Sequence, residues 1–168
     1  MRTPVYELHI RPMFTATDRD HMLLARGWNL WSYDEVVQHA TGILKSLEDQ
    51  TMPPPAFGGP WPKEWIDLFR RWKEGGRKRL ELGAAVITVN RSPNSVTIKA
   101  TGTFPAAGYQ GWLQLESESD TAKTYVLYFE PPDSPVAGTA HDFALTERYG
   151  ASDTRALFVH DSTGVQEH

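Results

Sequence analysis

The sequence of 168 residues reads as an α+β chain of two domains, a three-helix bundle over 1–76 and a small antiparallel β-sandwich over 83–168. Three observations carry this. Apolar residues recur at helical spacing up to Gly76, the pattern turns to strand-like alternation after Leu82, and Gly75-Gly76 followed by charged residues over 77–82 marks a short linker between them. At 40% hydrophobic content the chain can bury two small cores.

His9 falls in an extended entry strand. Thr15 or Thr17 is placed to cap a first helix running through Leu24, with Asp18 and Asp20 in its positive first turn. An aromatic loop, Trp28-Asn29-Leu30-Trp31-Ser32-Tyr33, follows. Ser32 and Glu35 have the spacing of a capping box, and the helix they open sets Val36, Ala40, Ile43, Leu44 and Leu47 on one face, with His39 on the polar side. Pro53-Pro54-Pro55 and Gly58-Gly59-Pro60 force a turn. Trp61-Pro62 restarts a helix in which Trp65, Leu68, Phe69 and Trp72 share a face and Gly75 ends the run.

Six β-rich segments follow, 84–89, 95–104, 111–116, 123–130, 141–146 and 155–160, separated by Pro, Gly, Asn, Asp and Ser clusters. Val96, Ile98, Ala100 and Gly102 alternate with Thr97, Lys99 and Thr101, as a half-buried strand requires.

Composition narrows the function. A net charge of -4 argues against nucleic acid as the main partner, and the basic run from Arg70 to Arg79 is interrupted by Glu74. With no cysteine there is no disulfide, thiolate metal site or thiol nucleophile. No apolar run reaches the roughly 18–20 residues of a membrane helix, and no apolar leader follows Met1, so a cytoplasmic protein without membrane association is expected.

One stretch is more specific. Four residues after the anchor Phe14, where a c-type cytochrome places Cys-x-x-Cys-His, stands Asp18-Arg19-Asp20-His21-Met22, and the Met52-Pro53-Pro54 loop and a Trp-rich helix follow. Over residues 7–76 this order resembles a class I cytochrome c domain, and more closely the haem-less variants found as modules in bacterial proteins. The resemblance maps the proximal ligand onto Met22 and the distal one onto Met52. Without thiols to anchor a porphyrin, the expectation is that there is no cofactor, and that Met22 and Met52 fill the vacated pocket with Trp28, Trp31, Trp61 and Trp65.

Acid–base candidates are Asp18, Asp20, His21 and His141. The pairs His141-Asp142 and His160-Asp161 are the weak metal candidates, because strand neighbours point to opposite faces; no metal site is expected. Trp28, Trp31, Tyr33, Met52, Trp61 and Trp65 are the candidate ligand- or partner-binding residues.

The function expected is that of a non-catalytic accessory protein of secondary metabolism, docking a partner enzyme such as an oxidoreductase, or a hydrophobic small molecule. The alternatives are a cofactor-free cyclase, isomerase or hydrolase with its acid–base site in an interdomain cleft, and a redox protein with noncovalent haem or a metal.

Overall fold

The structure, a computed structural model, describes residues 2–150 and 153–168, apart from the Phe57 side chain. It divides into two compact units, Met1–Arg79 and Leu80–His168.

The first unit opens with a π-helical turn, Tyr6–Ile10, rather than an extended strand. Its backbone is closed locally, since His9 Nδ1 lies 3.0 Å from the Val5 N–H as its acceptor. Three α-helices follow: α1 (Ala16–Arg26), α2 (Tyr33–Glu48) and α3 (Lys63–Glu74). They do not form the three-helix bundle expected. α2 and α3 pack on each other and the π-helical turn packs on α3, whereas α1 directs only Asp18 and Met22 inward. The sequence of α1 explains this: Leu23 and Leu24 follow Met22 directly, so one residue faces the core and its two neighbours turn to solvent.

α2 buries Val36, Ala40, Ile43, Leu44 and Leu47 on one stripe, each larger side chain worth about 1.5–3 kcal/mol. Ser32 caps it, accepting from Glu35 N–H at 3.5 Å, but the box is not reciprocal because the Glu35 carboxylate takes the Asn29 N–H instead. On α3 the buried residues are Ile66, Phe69 and Trp72, and Trp65 sits outside, 43% exposed. Tyr6, Phe69 and Trp72 meet at the centre, and the Trp72 indole N–H donates to Lys78 O at 2.9 Å.

Among its described residues the second unit holds eight strands in two sheets: β1 (Glu81–Leu82), β2 (Val86–Ser92), β3 (Ser95–Thr103), β4 (Gln110–Glu118), β5 (Ala122–Glu130), β6 (Asp142–Tyr149), β7 (Ala156–Asp161) and β8 (Gly164–Glu167). β2, β3 and β6 form a three-stranded antiparallel sheet. In the five-stranded sheet β5 pairs with β4 and β1 antiparallel but with β7 parallel, from Ala122↔Ala156 to Val126↔His160. The β unit is therefore mixed, not purely antiparallel. A parallel neighbour cannot be reached by a hairpin, and here the chain crosses through β6 of the other sheet before returning as β7. Val96, Ile98 and Ala100 from one sheet and Leu113, Leu127, Phe129 and Leu157 from the other share one core. Architecture over the whole chain is α+β.

Candidate functional site

The two strings that stood out in the sequence meet in space. Thr17, Asp18, His21 and Met22 of α1 and Met52-Pro53-Pro54 line one small, open concavity. The helical side is fixed by a capping box: Thr15 Oγ1 accepts the Asp18 N–H at 3.1 Å, while Asp18 Oδ2 accepts from Thr15 N–H at 2.8 Å and Thr15 Oγ1–H at 2.6 Å. The loop side is fixed by the end of α2. Thr51 and Met52 N–H both donate to Ser46 O, and Gly59 N–H donates to Pro54 O at 3.3 Å.

This is not a porphyrin pocket. The concavity encloses only about 20 Å³ of free space, far below the ~300–1,000 Å³ typical of small-molecule sites, Met22 is packed into the core, and none of Trp28, Trp31, Trp61 and Trp65 lines it. The residues present do not fit a haem.

The acid–base candidates are not assembled into one machine. Asp18 is consumed by its cap. Asp20 is exposed and holds Arg19, whose NH2 lies 2.7 Å from its carboxylate. His21 is exposed on the concavity rim. His141 belongs to the second unit, exposed before β6 with its ring 5.1 Å from that of Phe104. His160 lies on β7 in the five-stranded sheet, while Asp161 closes a turn by accepting from the Thr163 N–H at 2.7 Å and its hydroxyl at 2.6 Å. Among the described residues no three His, Asp or Glu groups are placed to hold a metal ion.

The aromatic candidates are dispersed, each with its own work. Trp28 stacks on His39 at 3.9 Å between ring centroids. Trp31 donates its indole N–H to Phe14 O at 2.9 Å and carries Arg11 and Arg19 against its ring. Tyr33 donates its hydroxyl to Arg77 O at 2.7 Å, and burial pushes its phenol above the ordinary value. Trp61 is buried between Phe14 and the exposed Trp65. Met52 is half-buried against the core and faces the concavity.

Two constellations went unnoticed in the sequence. The first is a second cleft on this unit, lined by Glu48, Gln50, Trp61, Lys63, Ile66, Asp67 and Arg70, about 670 Å³ in open volume. Lys63, Asp67 and Arg70 stand at helical i,i+4 and i,i+3 spacing, a legible signal; the contribution of Glu48 and Gln50 depends on how α2 ends. Hydrogen bonds from Lys63 and Arg70 hold the Asp67 carboxyl below its usual range.

The second is a charge cluster in the β unit. Arg155 lies 2.7 Å from Asp153 and 2.8 Å from Glu118. Lys123, largely buried, sits 3.3 Å from Glu118 and 3.9 Å above the Tyr149 ring. Arg155 hydrogen bonds hold the Asp153 carboxyl far below the ordinary carboxylate value. Tyr125, whose ring is stacked on Tyr149, has its hydroxyl pushed up to about 12, chiefly by burial. Every charge in the cluster faces an opposite one, which makes it a clamp across strand ends. No protein-family model, curated protein or solved structure matches the chain. The class that the geometry itself defines is an α+β chain whose first unit carries open, partly apolar surface concavities, among them these.

Proposed function

We propose that this chain is a non-catalytic binding module, and that the concavity between α1 and the Met52-Pro53-Pro54 loop docks a partner protein by taking one of its apolar side chains. The observation that carries the reading is the convergence of the two motif strings on a surface whose exposed lining is almost wholly apolar. On this reading residues 7–76 keep the motif positions of a haem-less cytochrome c-like module, although their helices pack differently.

Two further features support a protein partner. The free space, about 20 Å³, admits the tip of a side chain and no metabolite. Thr17, His21 and Leu24 stand at i, i+4 and i+7, so Leu24 extends the rim of the concavity along α1, and it is 90% exposed. A leucine so placed contributes nothing to the core, and its burial on docking is worth about 1.5–3 kcal/mol. The engagement of Asp18 in its cap withdraws support from an acid–base enzyme at this place.

The test places a photo-crosslinking residue at position 24 in the producing cell. The expected result is one stoichiometric adduct. In the reconstituted complex, Leu24→Glu weakens binding roughly 10- to 100-fold without lowering the melting temperature of the free protein. A partner bound equally well by Leu24→Glu and by Met52→Asp overturns the proposal, as does the absence of any discrete adduct.

A further inference from the structure

The three-stranded sheet of the second unit has an open side at β2, and the strand leaves it unguarded. β2 is an edge strand, paired with β3 in an unbroken register from Val86↔Thr101 to Ser92↔Ser95. The turn between them is Pro93-Asn94, and proline has no N–H to give, so Ser92 and Ser95 must be a pair that exchanges both backbone hydrogen bonds. Bonded and non-bonded pairs alternate along an antiparallel ladder. Val86, Thr88 and Asn90 therefore turn their N–H and C=O toward β3, and Ile87, Val89 and Arg91 turn theirs away from it. None of these outward groups bonds to a described residue.

The other edges of the unit carry features that discourage pairing. β4 is interrupted by a bulge between Leu115 and Ser117 and carries Glu116 and Glu118. β1 and β8 are two and four residues long. β6 carries Asp142, Glu147 and Arg148 and lies beside β4 of the other sheet. β2 has no bulge, proline or lysine, and its one charge, Arg91, folds back to donate to Asp153 O at 2.8 Å and Arg155 O at 3.0 Å. Val86, at its start, is 68% exposed.

An antiparallel copy of the same strand fits this edge in one register. With a two-fold axis at Val89, the Val89 groups of the two copies bond to each other and Ile87 of each copy bonds to Arg91 of the other, so every outward N–H and C=O is satisfied. An axis at Arg91 would set guanidinium beside guanidinium, one at Asn90 would put Ile87 opposite Pro93, and one at Ile87 or Thr88 would leave Arg91 opposite a residue outside the strand. In the Val89 register Thr88 of each copy stands opposite Asn90 of the other on the solvent face, and no like charges meet. We propose that β2 is a self-association edge, which pairs with β2 of a second copy of this chain about Val89 and joins their three-stranded sheets into one. A strand pair buries less than the ~1,200–2,000 Å² of a stable interface, so the dimer is weak, half-formed at about 10–100 μM. The edge belongs to the second unit and shares no residue with the α1 concavity, so it stands or falls independently of the docking reading.

Sedimentation velocity of the full chain, over concentrations that bracket this range, should show a reversible monomer–dimer equilibrium. In the 15N-labelled protein the backbone amide signals of Ile87, Val89 and Arg91 should move with concentration, and those of Val86, Thr88 and Asn90, already bonded to β3, should move less. Thr88→Glu with Asn90→Glu sets carboxylate opposite carboxylate twice across the axis and should weaken the dimer about 2- to 30-fold. Thr88→Glu with Asn90→Lys sets carboxylate opposite ammonium and should tighten it by about the same factor. Both positions are exposed and Thr88 faces Lys99 of β3, so each variant keeps its fold, which an unchanged circular dichroism spectrum checks. A chain that stays monomeric at about 1 mM overturns the proposal. So does a dimer whose concentration-dependent signals lie away from β2, or one whose affinity is the same in the two double variants.

Discussion

Asp18 separates a structural from a catalytic reading of α1. Asp18 is 8% exposed, and its carboxylate accepts two hydrogen bonds from Thr15, whose hydroxyl in turn accepts the Asp18 N–H. Removing one partner of such a cap costs roughly 0.5–2 kcal/mol. Thr15 is itself exposed, so water replaces part of what is lost and a value near 1 kcal/mol is expected for Asp18→Ala. In a domain of 60–100 residues that corresponds to a fall in Tm of about 4–8 °C. Asp18→Asn keeps an acceptor for the Thr15 N–H and gives up the favourable charge at the helix N-terminus, worth about 0.3–1 kcal/mol, so it should fall between wild type and Asp18→Ala. Because the two side chains cap each other, Thr15→Ala and Asp18→Ala should be strongly non-additive, the double variant losing little more than either single one. Thermal melts followed by circular dichroism at 222 nm measure all four species. An Asp18→Ala protein as stable as wild type, or more so, would refute the structural reading, since carboxylates held for chemistry commonly cost stability. Simple additivity with Thr15→Ala would refute the reciprocal cap.

Gly59→Ala should be severe for its size: an added Cβ would stand 1.7 Å from Pro53 O and 2.6 Å from Pro53 C, which are backbone atoms that no rotamer change can move. A loss of about 1–3 kcal/mol in denaturant titrations is expected, and an unchanged midpoint would show that the loop does not close there. In the β unit, the Asp153 carboxyl is held far below its ordinary value by Arg155. A depressed folded-state value means stability that is present above the unfolded carboxylate range, near pH 4, and lost as pH falls through the folded one. Asp153→Asn should therefore flatten the decline in stability below about pH 4; a variant with the wild-type acid profile would show that the clamp contributes nothing to acid sensitivity.

What could be read from the sequence was local. The stripe of α2 from Val36 to Leu47 follows from its period alone, and Thr15 at the start of α1 follows from capping chemistry. Pairings that depend on distant chain were not legible. Nothing within β5 or β7 says that they run parallel, because both are short, apolar and bounded by turns, and the relation is set by the crossover through β6. The two-residue β1 and four-residue β8 carry too little pattern to announce themselves. On α3 the helical spacing places Trp65 on the face of Phe69 and Trp72, but Ile66 takes that place and the indole lies exposed, its ring packed on Trp61. The convergence of Asp18, His21 and Met22 with Met52 was suggested only by motif order. Of the second cleft only the α3 side, Lys63, Asp67 and Arg70 at helical spacing, is legible; the α2 side is not, because glycine or asparagine would mark a left-handed turn and Gln50 does not.

The turn that closes α2 joins these observations. Within five residues the chain places Gln50 in the second cleft and Met52, Pro53 and Pro54 in the concavity, and Thr51 and Met52 hang from the same carbonyl, that of Ser46. A segment tied in this way has little freedom to shift in one without shifting in the other. Substitutions can nonetheless be aimed separately, because Gln50→Gly alters only a side chain and keeps the backbone conformation the left-handed turn requires, whereas Gly59→Ala forces the backbone of Pro53 to move. If the concavity docks a partner, the first change should leave crosslinking from position 24 intact and the second should diminish it. If the first change also abolished crosslinking, the turn and not the side chain would be the common element, and the cleft and the concavity would have to be treated as one surface.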